Sequence, residues 1–406
     1  MYRIFESSKI KTKTTRKRCF NARNLFLSVA KLHDHSGGGA AEDALNGVFG
    51  ASAPTGSALS QMRELVSWEF FKDTFMSSVS SFCGKIRPTW KSFYITAIDG
   101  DQFNLPRNEN TLSLGYKGVP CGIDIESYGL KMYSTLACDA ITGAPITIQT
   151  SELPDELHSG IASTREAFSI QMASRSNNIR PESNLFLYDR LYMCLALLDT
   201  HKELGSRFVA RCKASSTFSE IIEFCKSHEV DSVYEIRGHK VRLIKANYNE
   251  VEYIYATNIF SETLTREEIS WLYFKRWEIE TTNRYVTVIL GLERFHSKNV
   301  NGIKQEIYAS LWTLLIAKCA GKNIKNSAEG FAGRLYSRQN TKRVRQFIMD
   351  NVVDIFNKYK HKIILQLELL CAKTTRTAER LKRSYPRMRK YIGQKEYPTA
   401  GAVPRI

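Results

Sequence analysis

Three carboxylates of this 406-residue chain stand where a metal-assisted phosphoryl transfer needs them. Asp99 closes SFYITAID (92–99), an apolar, β-branched and aromatic run that predicts a buried strand. Asp189 closes a second short apolar run, NLFLYD (184–189). Glu280 lies in WLYFKRWEIETTNRYVTVILGL, where Thr265 and Glu268, at capping-box spacing, predict a helix running to about Leu290. Two divalent ions about 3.5–4 Å apart stabilise the attacking and leaving oxygens of such a transfer, and they require hard oxygen ligands from different elements. Each Asp also has a plainer reading: Asp99-Gly100 as a hairpin turn, and Asp189 as a helix N-cap.

The Glu280 segment carries more information. Tyr273, Arg276, Glu280 and Arg284 fall at i, i+3, i+7 and i+11, within about 80° of arc on a continuous helix. A core-facing stripe would be apolar there. One carboxylate among two guanidinium groups and a phenol suits a metal-bound phosphate held by bidentate hydrogen bonds. The alternative is an exposed, salt-bridged face.

The elements that must position these residues can be read in order. Helical patterns cover 24–88, with a loop at HSGGGAAED and a break at Arg87-Pro88. The strand 92–99 follows, then two strands within 130–153 turning near Asp139–Gly143, a helix at 164–174, and the strand 184–189 leading directly into helical LYMCLALLDTH. Residues 207–260 alternate as strands with one helix near 218–227. The Glu280 helix, a second apolar helix at 303–320 and a basic helical C-terminal region complete the chain. This is a mixed α/β core with an insertion and a helical region at each end.

The net charge of +17 is unevenly spread: +7 over 1–24, +13 over 331–406 and −3 between them. Basic ends of this kind suit a nucleic acid, because Lys and Arg release counterions from a phosphate backbone. The apolar stretch 307–320 is too short to span a bilayer and reads as a buried helix, and no signal peptide is expected. The nine Cys show no CxxC pair, and the eight His show no HExxH and a single HxH pair, His33 and His35. A zinc knuckle is therefore not expected, each His reads as a surface or core residue, and the unpaired Cys fit a reducing compartment.

At these residues the chain resembles the DDE transposases of the insertion-sequence-four family. YFKRWEIE is similar to that family's Y-(2)-R-(3)-E signature, YITAIDGDQFNLP to its first-Asp strand, LFLYDRLY to its second-Asp strand, and SALSQMRELV to its helical segment before the catalytic domain. The similarity is ordered over roughly 55–320, with 90 residues from Asp99 to Asp189 and 91 from Asp189 to Glu280. The resemblance implies an RNase H-like fold: a basic helical DNA-binding region at 1–88, a catalytic domain at 89–206 and 266–330, a β-rich insertion at 207–265, and a basic helical region at 331–406. It implies Asp99, Asp189 and Glu280 as catalytic metal ligands for two Mg²⁺ ions, with Mn²⁺ as a substitute. Tyr273, Arg276, Arg284 and Arg190 would be DNA contacts. It further implies cleavage of double-stranded DNA at inverted repeats through a hairpin intermediate, joining to target DNA, and a homodimer in the synaptic complex. The setting would be a cytoplasmic, nucleoid-associated protein of a bacterial-type cell.

Two departures stand out. The family signature continues to a Lys seven residues after the Glu, where this chain has Thr287. All five Trp lie outside 190–270, so a base-wedging aromatic from the insertion would have to be Tyr248, Tyr253 or Tyr255. Competing readings are an inactive or domesticated DNA-binding derivative, an RNase H-like nuclease of repair or recombination, and a membrane-surface protein.

Overall fold

The chain is described from a computed structural model, which covers residues 20–34, 39–106, 108–111, 130–151, 156–175, 179–248, 251–286, 295–320, 335–338, 340–355, 366, 370 and 376–379. Among the described residues four α-helices come first: α1 (Ala22–Leu32), α2 (Ala40–Phe49), α3 (Gly56–Leu65) and α4 (Trp68–Lys85). Side-chain caps start three of them: Asn21 for α1, Thr55 for α3 and Ser67 for α4. The polar side chain satisfies a backbone N–H that the first turn leaves without a partner.

One mixed sheet of eight strands forms the centre. Its strands are β1 (Tyr94–Asn104), β2 (Lys131–Asp139), β3 (Pro145–Ser151), β4 (Asn184–Tyr188), β5 (Arg207–Arg211), β6 (Asp231–Ile236), β7 (His239–Tyr248) and β8 (Val251–Thr257). The spatial order is β3-β2-β1-β4-β5-β8-β7-β6. β1 pairs antiparallel with β2 and parallel with β4, and β4 pairs parallel with β5. This is the mixed α/β arrangement that the sequence pattern predicts. The parallel steps need crossovers, which α5 (Glu156–Ser174) and α6 (Leu195–Leu204) provide.

The strand-rich stretch from residue 207 joins this same sheet. β5 is the fifth strand of the central order, and β8, β7 and β6 extend it by antiparallel pairing around the short helix α7 (Ser219–Lys226). Strand β1 is longer than the apolar run suggested. It continues through Asp99 to Asn104, and Asp99 pairs with Leu136 of β2. Asp99 is therefore mid-strand, neither a strand end nor a hairpin turn. Ladder pairing carries the strand past the point where its own hydrophobicity stops.

Period-two alternation divides the core by sheet face. Ile98, Phe186 and Tyr188 point to one face, where they pack with Ala167, Phe208, Phe75 and Trp312. Ile95, Ala97, Leu185 and Leu187 point to the other, where they meet Ile269, Leu272, Tyr273 and Ile279. The second face is covered by α8 (Arg266–Phe274) and α9 (Trp277–Arg284). The capping box at Thr265 and Glu268 is formed. The helix expected as one piece is broken at Lys275–Arg276, where backbone bonds reach back three residues: Lys275 N–H to Leu272 O at 2.9 Å and Arg276 N–H to Tyr273 O at 2.9 Å. Bonds of this kind tighten the turn and shift the face that follows. α10 (Val300–Ala320) is apolar nearly all round and buried along its length, resting on α4 and α1. Among the described residues no helix is long and apolar enough to cross a membrane.

Candidate active site

Asp99 and Asp189 reach one place because of strand parity. Asp99 shares its sheet face with Ile95 and Ala97, and Asp189 follows Leu185 and Leu187 in the same alternation. The parallel ladder between β1 and β4 ends at Ile98 opposite Tyr188. One step further along both chains lie Asp99 and Asp189, on the face that α8 and α9 cover.

The break after Phe274 places the third partner. Arg276 stands at the start of α9, 5% exposed, with Nη2 2.7 Å from Oε1 of Glu280 and Nη1 3.8 Å from Oδ2 of Asp99. The Tyr273 hydroxyl donates to Oδ1 of Asp189 at 3.4 Å, and the Arg276 guanidinium lies 5.6 Å from the Tyr273 ring centre. Asp99, Asp189 and Glu280 thus surround one buried guanidinium. Its Nε is buried and without a hydrogen-bond partner.

α9 is seated by a glycine. Gly143, in the turn between β2 and β3, has φ +71° and accepts a hydrogen bond at its carbonyl from Thr282 Oγ1 at 3.2 Å. A Cβ there would lie 2.7 Å from both Glu278 Oε1 and Lys318 Nζ. Positive φ and this close approach both demand glycine.

The electrostatics follow from burial and charge. Burial works against the charged form of Arg276, but the Tyr273 phenol and the carboxylates of Asp99, Asp189 and Glu280 outweigh it and raise its pKa. Burial also raises the pKa of Tyr273, so the phenol keeps its proton and serves as a donor. Tyr255 of β8 packs on Tyr273 at 4.7 Å, and burial pushes its hydroxyl up to about 12.

The other candidate residues separate clearly. Arg284 ends α9 exposed, and Arg190 is exposed in the turn after Asp189. They are in solvent, whereas Arg276 is buried among carboxylates, so the four residues Tyr273, Arg276, Glu280 and Arg284 do not form one uniform face. The break between α8 and α9 and the differing burial account for this. Thr287 lies outside the described residues. Tyr255 is buried and cannot wedge into a base stack, and Tyr253 lies beneath the Arg211 guanidinium, 4.7 Å from it. Arg211 was not expected in this region. Its field also reaches Tyr273, and no local motif marks it, because β5 is placed by long-range pairing. Asp139 is committed elsewhere: it is fully buried, bound to Arg87 Nε at 2.9 Å, and accepts from the N–H of Ile141 and from the N–H and hydroxyl of Thr142.

The donor set fits divalent metal ions. Three carboxylates from β1, the end of β4 and α9 offer hard oxygens, and the Asp99 and Glu280 side chains keep 19% and 39% of their surface accessible. Their ligand atoms are more widely spaced than the 4.8 Å that gathers His33, His296 and Glu306 elsewhere in the fold.

No curated protein matches the chain. Among solved structures it is similar to a piggyBac transposase synaptic complex with hairpin DNA seen by cryo-EM, at 9% identity and TM-score 0.43, with 95% of this chain and 82% of that chain covered. A family model described as the transposase DDE domain matches residues 92–316, more than half of the sequence and the span from β1 into α10, and the chain therefore belongs to the DDE transposase-domain family.

Proposed function

We propose that the protein is a cut-and-paste transposase of the insertion-sequence-four kind, which cleaves double-stranded DNA at transposon inverted repeats and joins the ends to target DNA. The single observation that carries this reading is the gathering of Asp99, Asp189 and Glu280 around Arg276. Asp99, Asp189 and Glu280 would hold two Mg²⁺ ions, or Mn²⁺ in their place, and bound ions would supply charge stabilisation to the attacking and leaving oxygens.

The chain's own residues have separate tasks. Arg276 offers a planar fork of donors in a desolvated position, suited to a phosphate oxygen at the cut end. Its Nε, buried without a partner, is a donor held in reserve for such an oxygen. Tyr273 keeps its proton and can donate to the same phosphate or hold Asp189 in place. Arg190 and Arg284, exposed on either side, are positioned to contact the DNA backbone. A hairpin intermediate and a homodimeric synaptic complex belong to the same proposal.

The test uses a labelled duplex carrying the inverted repeats read from the DNA flanking the gene. The full-length chain should nick it only with Mg²⁺ or Mn²⁺ present. Asp189→Ala should bind the duplex as well as the wild type and leave it intact. Cleavage by Asp189→Ala at the wild-type rate would overturn the site assignment, and no Mg²⁺-dependent cleavage by the wild type would favour an inactive DNA-binding derivative.

A further inference from the structure

A second cluster of donors lies at the junction of α1, the segment 295–299 and α10, apart from the carboxylate site. His33 is the C-cap of α1, His296 precedes α10, and Glu306 is in its second turn. One ligand atom from each lies within 4.8 Å of the others. Oε2 of Glu306 is 3.3 Å from Nε2 of His33 and 3.6 Å from Nδ1 of His296. Donors bound to one tetrahedral ion at about 2.0–2.1 Å stand roughly 3.3–3.4 Å apart, so this spacing suits ligands around a single ion.

The surroundings support the same reading. The Glu306 side chain is fully buried, and its two oxygens have different neighbours. Oε1 accepts from Arg63 Nη2 at 2.6 Å and from the Ser297 N–H at 2.9 Å. Oε2 accepts the His296 N–H at 2.9 Å and faces both imidazoles. Arg63, held by the Gly302 carbonyl and the Gln305 amide oxygen, fixes the carboxylate through its other oxygen, as outer-sphere partners of metal ligands do. The His33 side chain is 1% exposed, yet its Nε2 makes no hydrogen bond although it is aimed at Oε2. A buried ring nitrogen without a hydrogen bond is uncommon and calls for a reason. The two rings meet edge to face at 5.2 Å, which lets both nitrogens point to one spot, and the His296 side chain is 24% exposed, leaving a path from solvent.

We propose that His33, His296 and Glu306 bind one divalent transition-metal ion, zinc by donor chemistry, that staples α1 to α10. Two imidazoles and one carboxylate suit zinc, while magnesium favours an all-oxygen octahedron. The histidines are 263 residues apart in sequence, so spacing rules could not reveal the pair.

Full-length protein is dialysed against excess Mg²⁺ to saturate the all-oxygen site and then titrated with Zn²⁺, and separately with Co²⁺ as a visible probe. The wild type should retain one zinc per chain, melt at a higher temperature with zinc, and give the strong visible absorption of tetrahedral cobalt. His33→Gln and His296→Gln should lose the ion, the band and the zinc-dependent melting shift, whereas Asp189→Asn should keep all three. Should His33→Gln not fold, His296→Gln, at the more exposed ring, decides. A folded wild type with no retained zinc, no cobalt band and a zinc-independent melting temperature would overturn the proposal and leave a plain ion-pair cluster. Zinc kept by both His variants but lost by Asp189→Asn would overturn it too, by placing the ion among the carboxylates.

Discussion

The two faces of the central sheet each hold an arginine against an aspartate of the β1–β2 pair, and they use it in opposite ways. On one face Asp139 sits opposite Thr96, fully buried, and Arg87 fills its fork: Nε to Asp139, Nη1 to Gln171 Oε1 at 3.0 Å, and Nη2 to the Ile95 carbonyl and Thr96 hydroxyl at 2.9 and 2.7 Å. On the other face Arg276 has three carboxylates around it, one close contact to Glu280, and an Nε with no partner. The first network is closed around its guanidinium, because every nitrogen of Arg87 is engaged within the fold, although the Gln171 amide nitrogen is left without a partner. The second is open, because its carboxylates are part-exposed and a donor is left over. Two similar Arg–Asp pairs, one strand apart, are thus distinguished by satisfaction of hydrogen bonds rather than by residue type. The closed pair is scaffold, and the open one is where a ligand can enter.

The largest expected effect follows directly. Asp99→Ala, Asp189→Ala or Glu280→Ala should each slow DNA cleavage by roughly a thousandfold or more, about 4 kcal/mol of barrier, while melting temperature and end binding stay close to wild type. Arg276→Lys should also slow cleavage strongly, because an ammonium keeps the charge but cannot present two parallel donors. A lysine variant that cleaves normally would reduce Arg276 to a counter-charge and make the two faces alike.

Next comes the closed pair. Arg87→Met leaves the Asp139 charge buried without its partner, which should cost about 3–5 kcal/mol of stability, read as a lower denaturant midpoint. Arg276→Met should cost much less, since its carboxylates retain access to water. Equal destabilisation by the two variants would break the distinction between scaffold and site.

The sequence made some of this legible and not the rest, for physical reasons. The buried runs ending near Asp99 and Asp189, the turn after Asp139 and the capping box at Thr265 are local signals, and each is where the pattern put it. The break at Lys275–Arg276 was invisible, since the residues around it are ordinary helix formers and nothing local forbids a continuous helix. The length of β1, the commitment of Asp139 to Arg87 and the position of Arg211 over the Tyr253 ring depend on pairings far apart in sequence. So does the junction of His33 with His296. Parity along β1 and β4 was readable, but which face would receive α8 and α9 was not.

The closed face also contains a smaller weakness. His201 of α6 is fully buried between the Tyr188 hydroxyl at 3.0 Å and the Ser206 hydroxyl at 2.7 Å, and burial lowers its pKa from 6.5 to about 3. The unfolded chain therefore takes up a proton below pH 6.5 that the folded chain refuses until about pH 3. The stability present above pH 6.5 should be lost as pH falls through that window, by at most roughly 1.4 kcal/mol per unit from this one residue. Melting curves from pH 4 to 7 should be shallower for His201→Gln than for wild type. Parallel curves would show that the ring takes up its proton equally in the folded and the unfolded chain.

The smallest effects belong to the exposed arginines at the edge of the open face. Arg190→Ala and Arg284→Ala remove side chains in solvent, so melting should change by no more than about 0.5 kcal/mol in either case. If each contacts one phosphate, binding of the end duplex should weaken and the slope of log affinity against log salt should fall by roughly one unit per variant. Arg276→Ala, measured in the same way, separates two roles. A buried guanidinium that acts only on the cut phosphate should leave the salt slope nearly unchanged while cleavage collapses. If the slope fell as far for Arg276→Ala as for Arg284→Ala, the open face would be a general backbone-binding surface, and its carboxylates would need another explanation. If Arg284→Ala left the slope untouched, the DNA would run past the other end of α9, and Arg190 would mark its path.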